Sequence, residues 1–463
     1  MKHKAFKQSI PYILAFLGAG IYISLIFNQN VWLDEAFTAS LIRTDLKGVL
    51  ERSMNDTLPP LYNILLKLVT DLLGYTIPVM KLVSVTPMIL TMFLGAHIIR
   101  KRFGVLTSSL FITALFCMPN LLFYGVEIRM YSLGFFFATA SGIYAYEVIC
   151  DSCKKNWIFF TLFSVLAGYS HHFAFVTVGF VYLFLLLYYF FFERVHIRRW
   201  FFCLLATGLL YFPCLITTLK QLKSVSGYFS MPEVTLSVFI KYMRYPYTVG
   251  FTPLSVCLVI LMLALLVRFL LNKNRTRTDY FALLCFLTYY GVLIFGTLIS
   301  KIMTANIFVD RYLFFAISFI WLFFAVECST LKKELLYAVF AFVIMCGIAG
   351  YIQEYRIEYA KGIEEFLPVL KSQVKDGDIL YTIEDNEELA FCLPFYAPEL
   401  TNYEVLDEAV AALKEDSTLY CTVLSGASED IRQIDPHAFT IELLGEYHFD
   451  RYSFQLYKLI KKS

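Results

Sequence analysis

A series of long apolar runs constrains this chain more than any other feature of its sequence. Each run is about 17–25 residues long, which is enough to cross the hydrocarbon core of a bilayer as a helix. The composition agrees, because 59% of the 463 residues are hydrophobic and only 16% are charged, whereas a soluble domain carries about 25%. The net charge of +2 argues against a nucleic-acid partner. The sequence therefore predicts a polytopic α-helical membrane protein.

Eleven spans are predicted, and clusters of basic residues test their order. The spans are 8–27, 77–99, 104–123, 132–150, 156–170, 173–192, 200–219, 251–271, 280–299, 312–329 and 334–352. Every second span ends in a basic cluster, as the positive-inside rule requires for a cytoplasmic N-terminus. The run Pro60–Leu73 is interrupted by Lys67 and Asp71 and is too short to cross. We therefore predict that it lies at the interface and that the C-terminus is extracytoplasmic.

The composition becomes polar from Gln353 onward. Strand-like and helical patterns alternate there, at 378–382, 418–423 and 452–459 for strands and at 363–374 and 407–414 for helices. Such alternation predicts a small α/β domain. We predict two domains: 1–352 in the membrane, with a first outer loop at 28–76, and 353–463 outside the cytoplasm. Cys392 and Cys421 could form a disulfide in that compartment.

Two adjacent carboxylates, Asp34 and Glu35, follow the first span. A partly desolvated carboxylate at the membrane boundary is a stronger base, so it can take a proton from an attacking hydroxyl or amine. The pair could instead hold a divalent metal through its oxygen atoms, or be an ordinary solvated loop pair. The pattern from Ala36 to Met54 predicts an amphipathic helix in the interface plane.

Further polar residues are predicted on the same side of the membrane. They are Asp56, Tyr62, Glu127, Arg129, Tyr131, His171, His172 and Arg311. Arg129 and Arg311 have the planar fork that suits a phosphate, and the others are candidates for binding substrate. A helix cap, a local ion pair and interface-anchoring rings are the structural alternatives for these residues. Together with the acidic pair, they describe a site for an anionic, lipid-anchored donor.

The order of these motifs resembles the integral-membrane glycosyltransferases of the GT-C fold, within them the glycosyltransferase family 39 group. That group includes protein O-mannosyltransferases and aminoarabinose transferases. The motifs are Asp34-Glu-Ala, Asp56-x-x-Pro-Pro-Leu-Tyr62, Glu127-x-Arg-Met-Tyr131, His171-x-Phe173 and Arg311-Tyr312, within about residues 1–330.

The resemblance implies inverting transfer of a sugar from a polyprenyl-phosphate donor to an extracytoplasmic glycan, lipid or protein, in a bacterial cell membrane. It also implies that Asp34 is the catalytic base, that Glu35 is its acidic neighbour, and that Arg129 and Arg311 lie near the lipid phosphate. Leu58 stands where the family commonly has histidine. Metal dependence varies among such enzymes, and the sequence offers no metal cage.

Three other functions remain open from the sequence. A transporter or flippase of lipid-linked sugars would need charged residues near the middle of its spans, and the fourth, sixth and eighth spans have almost none. A polymerase or ligase that uses a lipid-pyrophosphate donor would need the same arginines. A non-catalytic assembly factor would depend on the polar tail.

Overall fold

The structure is a computed structural model. It describes residues 2–228, 233–303, 306–358, 362–373, 375, 377–382, 392–393, 395–397, 401–403, 406–413, 418–424, 434–435, 437–449 and 452–462. Within these ranges, nine segments are long and apolar enough to cross a membrane. The protein is therefore an integral membrane protein.

The helices of the membrane-embedded part include both long and short elements. Those that correspond to the predicted spans are α1 (Lys2–Leu25), α5 (Ile77–Leu94), α6 (Arg100–Cys117), α8 (Tyr131–Cys150), α9 (Lys154–Ser170), α10 (His172–Phe191), α11 (Ile197–Tyr228), α13 (Thr252–Leu271), α14 (Arg277–Ile302), α15 (Phe314–Cys328) and α16 (Lys333–Glu358). The shorter helices are α2 (Leu33–Leu41), α3 (Leu46–Asn55), α4 (Leu61–Leu73), α7 (Pro119–Val126) and α12 (Leu236–Arg244).

The chain reverses direction at Gly104, a non-helical residue inside the stretch Arg100–Cys117. This glycine has φ +92° and ψ 176°, a conformation that residues with a side chain rarely adopt. Ser108 Oγ donates to the carbonyl of Gly95 at 2.9 Å, although a continuous helix would separate these residues by about 20 Å. The long segment Ile77–Cys117 is therefore a hairpin of two helices. With it and the 17-residue α9, each of the eleven predicted spans corresponds to a helix.

The chain divides into two compact units. The first consists of Met1–Phe27 and Thr44–Tyr351, and the second of Asn28–Arg43 and Ile352–Ser463. The stretch that carries Asp34 and Glu35 thus belongs to the same unit as the C-terminal segment. Tyr396 OH donates to the carbonyl of Gln29 at 2.7 Å within this second unit. The predicted two-domain assignment stays a prediction.

The prediction of a single amphipathic helix from Ala36 to Met54 is wrong in one respect, because two helices occupy this stretch. α2 ends at Leu41 and α3 begins at Leu46. Asp45 causes the second start, since its side chain accepts a hydrogen bond from the Gly48 amide at 2.9 Å. An aspartate in this N-cap position satisfies an amide that has no partner inside the helix.

The C-terminal segment contains a five-stranded sheet. Its strands are β1 (Ile379–Thr382), β2 (Thr401–Tyr403), β3 (Leu419–Leu424), β4 (Phe439–Phe449) and β5 (Tyr452–Lys461), in the order β2-β1-β3-β5-β4. The β2-β1 and β1-β3 pairs are parallel, and the other two pairs are antiparallel. With α17 (Gly362–Gln373) and α18 (Leu406–Ala412), the predicted α/β architecture is confirmed. Cys392 and Cys421 are both buried.

α8 packs closely against α15 at two of its glycines. A Cβ atom added at Gly134 would lie 2.7 Å from the Phe315 ring, and one at Gly142 would clash with Phe319. The two glycines are two helical turns apart, so they form a notch that receives the aromatic rings. The N-terminal ends of α8 and α15 are therefore held side by side.

Candidate functional site

Two charged residues, Glu127 and Arg129, are buried in the turn between α7 and α8. The Arg129 amide donates to the Glu127 carbonyl at 2.6 Å, which makes the turn tight. The side chains are only 6% and 8% exposed, respectively. Burying charge is costly unless other groups compensate for it, so such residues are candidates for function in a membrane protein.

Arg311 lies in the short 3-10 turn Asp310–Leu313 that opens α15. The Asp310 carboxylate accepts a hydrogen bond from the Arg311 amide at 2.9 Å, and Lys241 Nζ of α12 lies 3.2 Å from the same carboxylate. Phe308 anchors the preceding loop, since it is fully buried and its ring lies 5.5 Å from that of Tyr242. The turn is thus fixed from both sides.

His171 links these two turns. Its ring stacks on Phe315 with the centroids 4.4 Å apart. Burial lowers the pKa of His171 well below its usual value, and the positive charges of the next histidine, Arg129 and Arg311 lower it further. Both predicted phosphate ligands therefore lie within electrostatic reach of one neutral imidazole.

Two tyrosines that the sequence did not single out adjoin the same groups. Burial raises the pKa of Tyr124 well above its usual value, and the charges of Glu127 and Asp310 raise it further. Burial likewise raises the pKa of Tyr245, with smaller contributions from Tyr124 and Asp310. The Tyr245 hydroxyl has no hydrogen-bond partner among the described residues. The chain contains 32 tyrosines, so no sequence signal distinguishes these two.

We call this set of residues the polar cluster. It consists of Tyr124, Glu127, Arg129, His171, Tyr245, Asp310 and Arg311. Tyr131 borders it, with its ring 5.3 Å from that of Tyr124. Opposite charges and neutral hydrogen-bonding groups converge there, which is the chemistry needed to bind an anion in a dry site.

Lys81 is a further buried cation that the sequence analysis passed over. It is 5% exposed, and it is the one buried lysine among the residues whose burial the structure describes. Three residues on, Ser84 forms a 2.7 Å hydrogen bond with the hydroxyl of Tyr62. Residues three apart share a helix face, so Lys81 lies on the side of α5 that meets α4. A lysine inside an apolar span is itself the signal that could have identified it.

The acidic pair occupies the first turn of α2, in the second unit. Glu35 is buried, and its carboxylate accepts a hydrogen bond from the Trp32 amide at 3.1 Å. The Thr38 hydroxyl donates to the Asp34 carbonyl at 2.9 Å. Negative charge is favoured at a helix N-terminus, so Glu35 stabilises the start of the helix that carries Asp34. Across the described residues, no three histidine, cysteine or acidic side chains are grouped as a metal site.

Two more predicted residues, Asp56 and His172, meet at one loop of the first unit. Asp56 ends α3, where its amide donates to the Arg52 carbonyl at 3.0 Å. His172 Nε2 lies 3.2 Å from the carbonyl of Thr57 and 3.2 Å from the side-chain oxygen of Gln221. The imidazole therefore joins the start of α10 to the loop after α3 and to the end of α11.

A cavity of about 360 Å³ adjoins these residues. Aromatic and aliphatic side chains from α10, α11 and α14 form most of its wall, and Leu58 and Tyr312 close one part. His171, His172 and Gln221 contribute the main polar groups. The lining residues that the structure describes include no lysine, arginine, aspartate or glutamate. It is thus an apolar chamber that shares His171 with the polar cluster.

Comparison of the backbone with solved structures gives a clear relationship. The crystal structure of ArnT from Cupriavidus metallidurans in the apo state matches with a TM-score of 0.61 over 96% of this chain and 97% of that chain. The chain has the fold of ArnT. ArnT bound to undecaprenyl phosphate matches with the same TM-score over 98% of both chains. Sequence identity is 10% in both comparisons.

The fold predicted from the sequence motifs is confirmed by this match, since it is the GT-C fold. No family model matches the chain, and no curated protein matches it. At 10% identity the likeness concerns the fold alone. The roles of the individual site residues remain predictions.

Proposed function

We propose that the protein is an inverting glycosyltransferase that takes its sugar from a polyprenyl-phosphate donor. The observation that carries the proposal is the position of two arginines in a chain with the fold of ArnT. The buried Arg129 and the half-buried Arg311 lie in the turns that precede α8 and α15, and the N-terminal ends of these helices pack together. The match to ArnT bound to undecaprenyl phosphate supports this class of donor.

The two arginines would hold the phosphate of the donor. A guanidinium pairs with two phosphate oxygens through parallel hydrogen bonds, and its charge is strengthened where water is excluded. As the sugar–oxygen bond breaks, negative charge grows on the phosphate. Stabilisation of that charge lowers the barrier for transfer. Lys81, also buried, is a third candidate for this role.

Asp34 would act as the general base. It takes the proton of the acceptor hydroxyl while the hydroxyl oxygen forms a bond to the anomeric carbon. The bond from that carbon to the phosphate oxygen breaks, and polyprenyl phosphate leaves with the electron pair. One displacement inverts the anomeric configuration. Glu35 holds the helix that presents Asp34, through its bond to the Trp32 amide.

The proposed setting is the bacterial cytoplasmic membrane, with the N-terminus inside and the site outside. Asp56, Tyr62, Glu127, Tyr131, His171 and His172 would contact the substrates there. The acceptor would be a glycan, lipid or protein of the cell envelope. No cofactor is proposed for the reaction.

A transfer assay in liposomes tests the proposal with a panel of radiolabelled polyprenyl-phosphate sugars. Wild type should turn over one donor, and Asp34→Asn should lose transfer by about 10²–10⁴-fold, the usual contribution of a general base. Glu51→Gln is the matched control, because Glu51 is exposed and forms a surface ion pair with Lys47. It should retain full activity.

Two outcomes would overturn parts of the proposal. Full activity in Asp34→Asn would exclude that residue as the base. Absence of turnover with every phosphate-linked donor, in folded protein, would exclude the donor class. Turnover of a pyrophosphate-linked donor instead would identify a polymerase or ligase.

A further inference from the structure

Helix α2, which carries Asp34, is too short to be stable by itself. It has nine residues, and isolated helices shorter than about 12–15 residues are marginal in water. The position of such a helix depends on the residues that pack around it. The side of α2 that is buried consists of Glu35, Ala36, Thr38, Ala39 and Leu41.

One contact with the C-terminal segment lies before α2. The Tyr396 hydroxyl donates a hydrogen bond to the Gln29 carbonyl at 2.7 Å, in the loop that leads into the helix. Tyr396 is only 7% exposed, so little water competes for this bond. Removing the hydroxyl would leave the carbonyl without this donor, which has a cost in free energy.

A second contact with the same segment lies just after α2, which ends at Leu41. The guanidinium carbon of Arg43 lies over the Phe395 ring, 6.0 Å from its centroid. This distance is within the range of a cation–π attraction, about 6 Å. The Arg43 amide also donates to the Ser40 carbonyl at 3.2 Å, so Arg43 is connected to the last turn of α2.

Phe395 and Tyr396 form a single packed element. Their rings meet edge to face, with the centroids 5.2 Å apart. The Ala397 amide donates to the Leu393 carbonyl at 2.9 Å, which closes one helical turn around the two aromatic residues. Both rings are buried, with at most 8% of each residue exposed. We call Phe395 and Tyr396 the aromatic clamp, because they contact the chain on both sides of α2.

We propose that the aromatic clamp positions Asp34 for proton transfer. A general base must lie about 2.6–3.2 Å from the atom whose proton it accepts, and a misplacement of about 1 Å can lower the rate ~10²-fold. Contacts on both sides of α2 restrict its shift and its tilt, whereas a single contact would let the helix pivot. Phe395 and Tyr396 are thus positioning residues that act through Asp34. This inference rests on the proposed function, since it takes Asp34 as the base.

Two substitutions weaken the clamp without emptying its place in the core. Tyr396→Phe removes the hydroxyl and keeps the ring, and Phe395→Leu removes the aromatic face and keeps an apolar side chain. Each lost contact should lower kcat, normalised to folded enzyme, by about 3–10-fold. The double variant should lose about 10–100-fold. KM for the donor should not change, because the base acts in the chemical step.

Tyr420→Phe is the matched control. The Tyr420 hydroxyl donates to the Gln373 carbonyl at 3.0 Å, so this variant removes the same type of bond from the same compact unit. Its bond lies at strand β3 and the end of α17. Tyr420→Phe should therefore lose a similar amount of stability and keep wild-type kcat.

A double-mutant cycle with Asp34→Asn separates positioning from a purely structural role. When Asp34 no longer acts as a base, Tyr396→Phe should change the residual rate by less than about twofold. The same fold-loss in both backgrounds would show that Tyr396 acts independently of Asp34 and would overturn the proposal. Wild-type kcat in the double clamp variant, or a loss confined to KM for the donor, would also overturn it.

Hydrogen exchange tests the clamp without any transfer reaction. In the full-length protein in nanodiscs, the clamp variants should speed exchange of the α2 amides, Leu33–Leu41, by about tenfold. Tyr420→Phe should leave these amides unchanged. Unchanged exchange of α2 in the double clamp variant would overturn the inference, whatever the transfer rates. Faster exchange of α2 in a protein whose wild type transfers no sugar would instead overturn the proposed function, and it would retain the clamp as the element that holds α2.

Discussion

Replacing Gly134 with alanine tests whether helix packing positions the site. The new Cβ would lie 2.7 and 2.8 Å from two atoms of the Phe315 ring. Carbon atoms in contact are normally about 3.5–4.0 Å apart, so the ring must move by about 1 Å. Phe315 is fully buried and stacks on His171. The displacement is therefore transmitted to the imidazole of His171.

The expected magnitudes separate stability from activity. Overpacking a buried site costs about 1–3 kcal/mol, and alanine in a helix recovers up to about 1 kcal/mol relative to glycine. The net loss of stability is then about 0–3 kcal/mol. A displacement of about 1 Å at a reacting site can lower the rate by ~10²-fold. We expect transfer by Gly134→Ala to fall by about 10–100-fold.

Two alanine variants serve as controls for this experiment. Gly142→Ala creates a similar clash with Phe319, but about 12 Å further along α8, so it should lose stability and retain transfer. Gly179→Ala has no atom within 4 Å of the new Cβ and should match wild type in both. Thermal unfolding and the liposome transfer assay provide the two readouts. Equal transfer rates in Gly134→Ala and Gly142→Ala would refute the positioning of His171 by Phe315.

Three further predictions concern stability. Burial and nearby positive charges lower the pKa of His171 below 6.5, so the unfolded chain binds more protons in acid than the folded chain does. Between pH 6.5 and pH 5.5 the free energy of unfolding of the wild type should therefore fall by about 1 kcal/mol more than that of His171→Asn. The readout is a larger fall in the melting temperature of the wild type. Arg102 Nη2 donates to the Glu147 carboxylate at 2.7 Å, so Arg102→Met should lower the free energy of unfolding by about 3 kcal/mol, because it leaves a buried carboxylate without its partner. Replacing both residues with methionine should recover most of this loss. Equal melting temperatures of the single and double variants would contradict the prediction. Tyr396→Phe removes the bond to the Gln29 carbonyl and should cost about 1 kcal/mol, with faster hydrogen exchange at residues 28–32 as the readout.

Hydropathy located the membrane helices because each span must be apolar along its whole length. The predicted span 132–150 corresponds to α8 at Tyr131–Cys150, a difference of one residue. The short tail strand β2 and the strand β4 were missed. A strand of three residues, such as Thr401–Tyr403, is too short for an alternating pattern to be recognised.

Hydropathy also predicts on which side of the membrane the residues of the candidate site lie. Counting spans placed Arg129, His171 and Arg311 on one side of the membrane, since side follows from the number of crossings. It could not predict that the two arginines lie near the ring of His171. That arrangement depends on the packing of Phe315 against Gly134, and no local sequence pattern encodes such a contact. Lys81 was within a predicted span, where its charge was a readable signal.

The contact between Tyr396 and Gln29 has a consequence for how the protein is made. The two residues are 367 positions apart in the chain, and synthesis proceeds at about 5–20 residues per second. The stretch Asn28–Arg43 therefore leaves the ribosome roughly 20–70 s before this partner is synthesised. Until then, the helix that carries Asp34 lacks the segment with which it forms a compact unit. A nascent chain that stops before the C-terminal segment would have inserted its membrane helices. It would still lack the segment that completes the compact unit around Asp34 and Glu35.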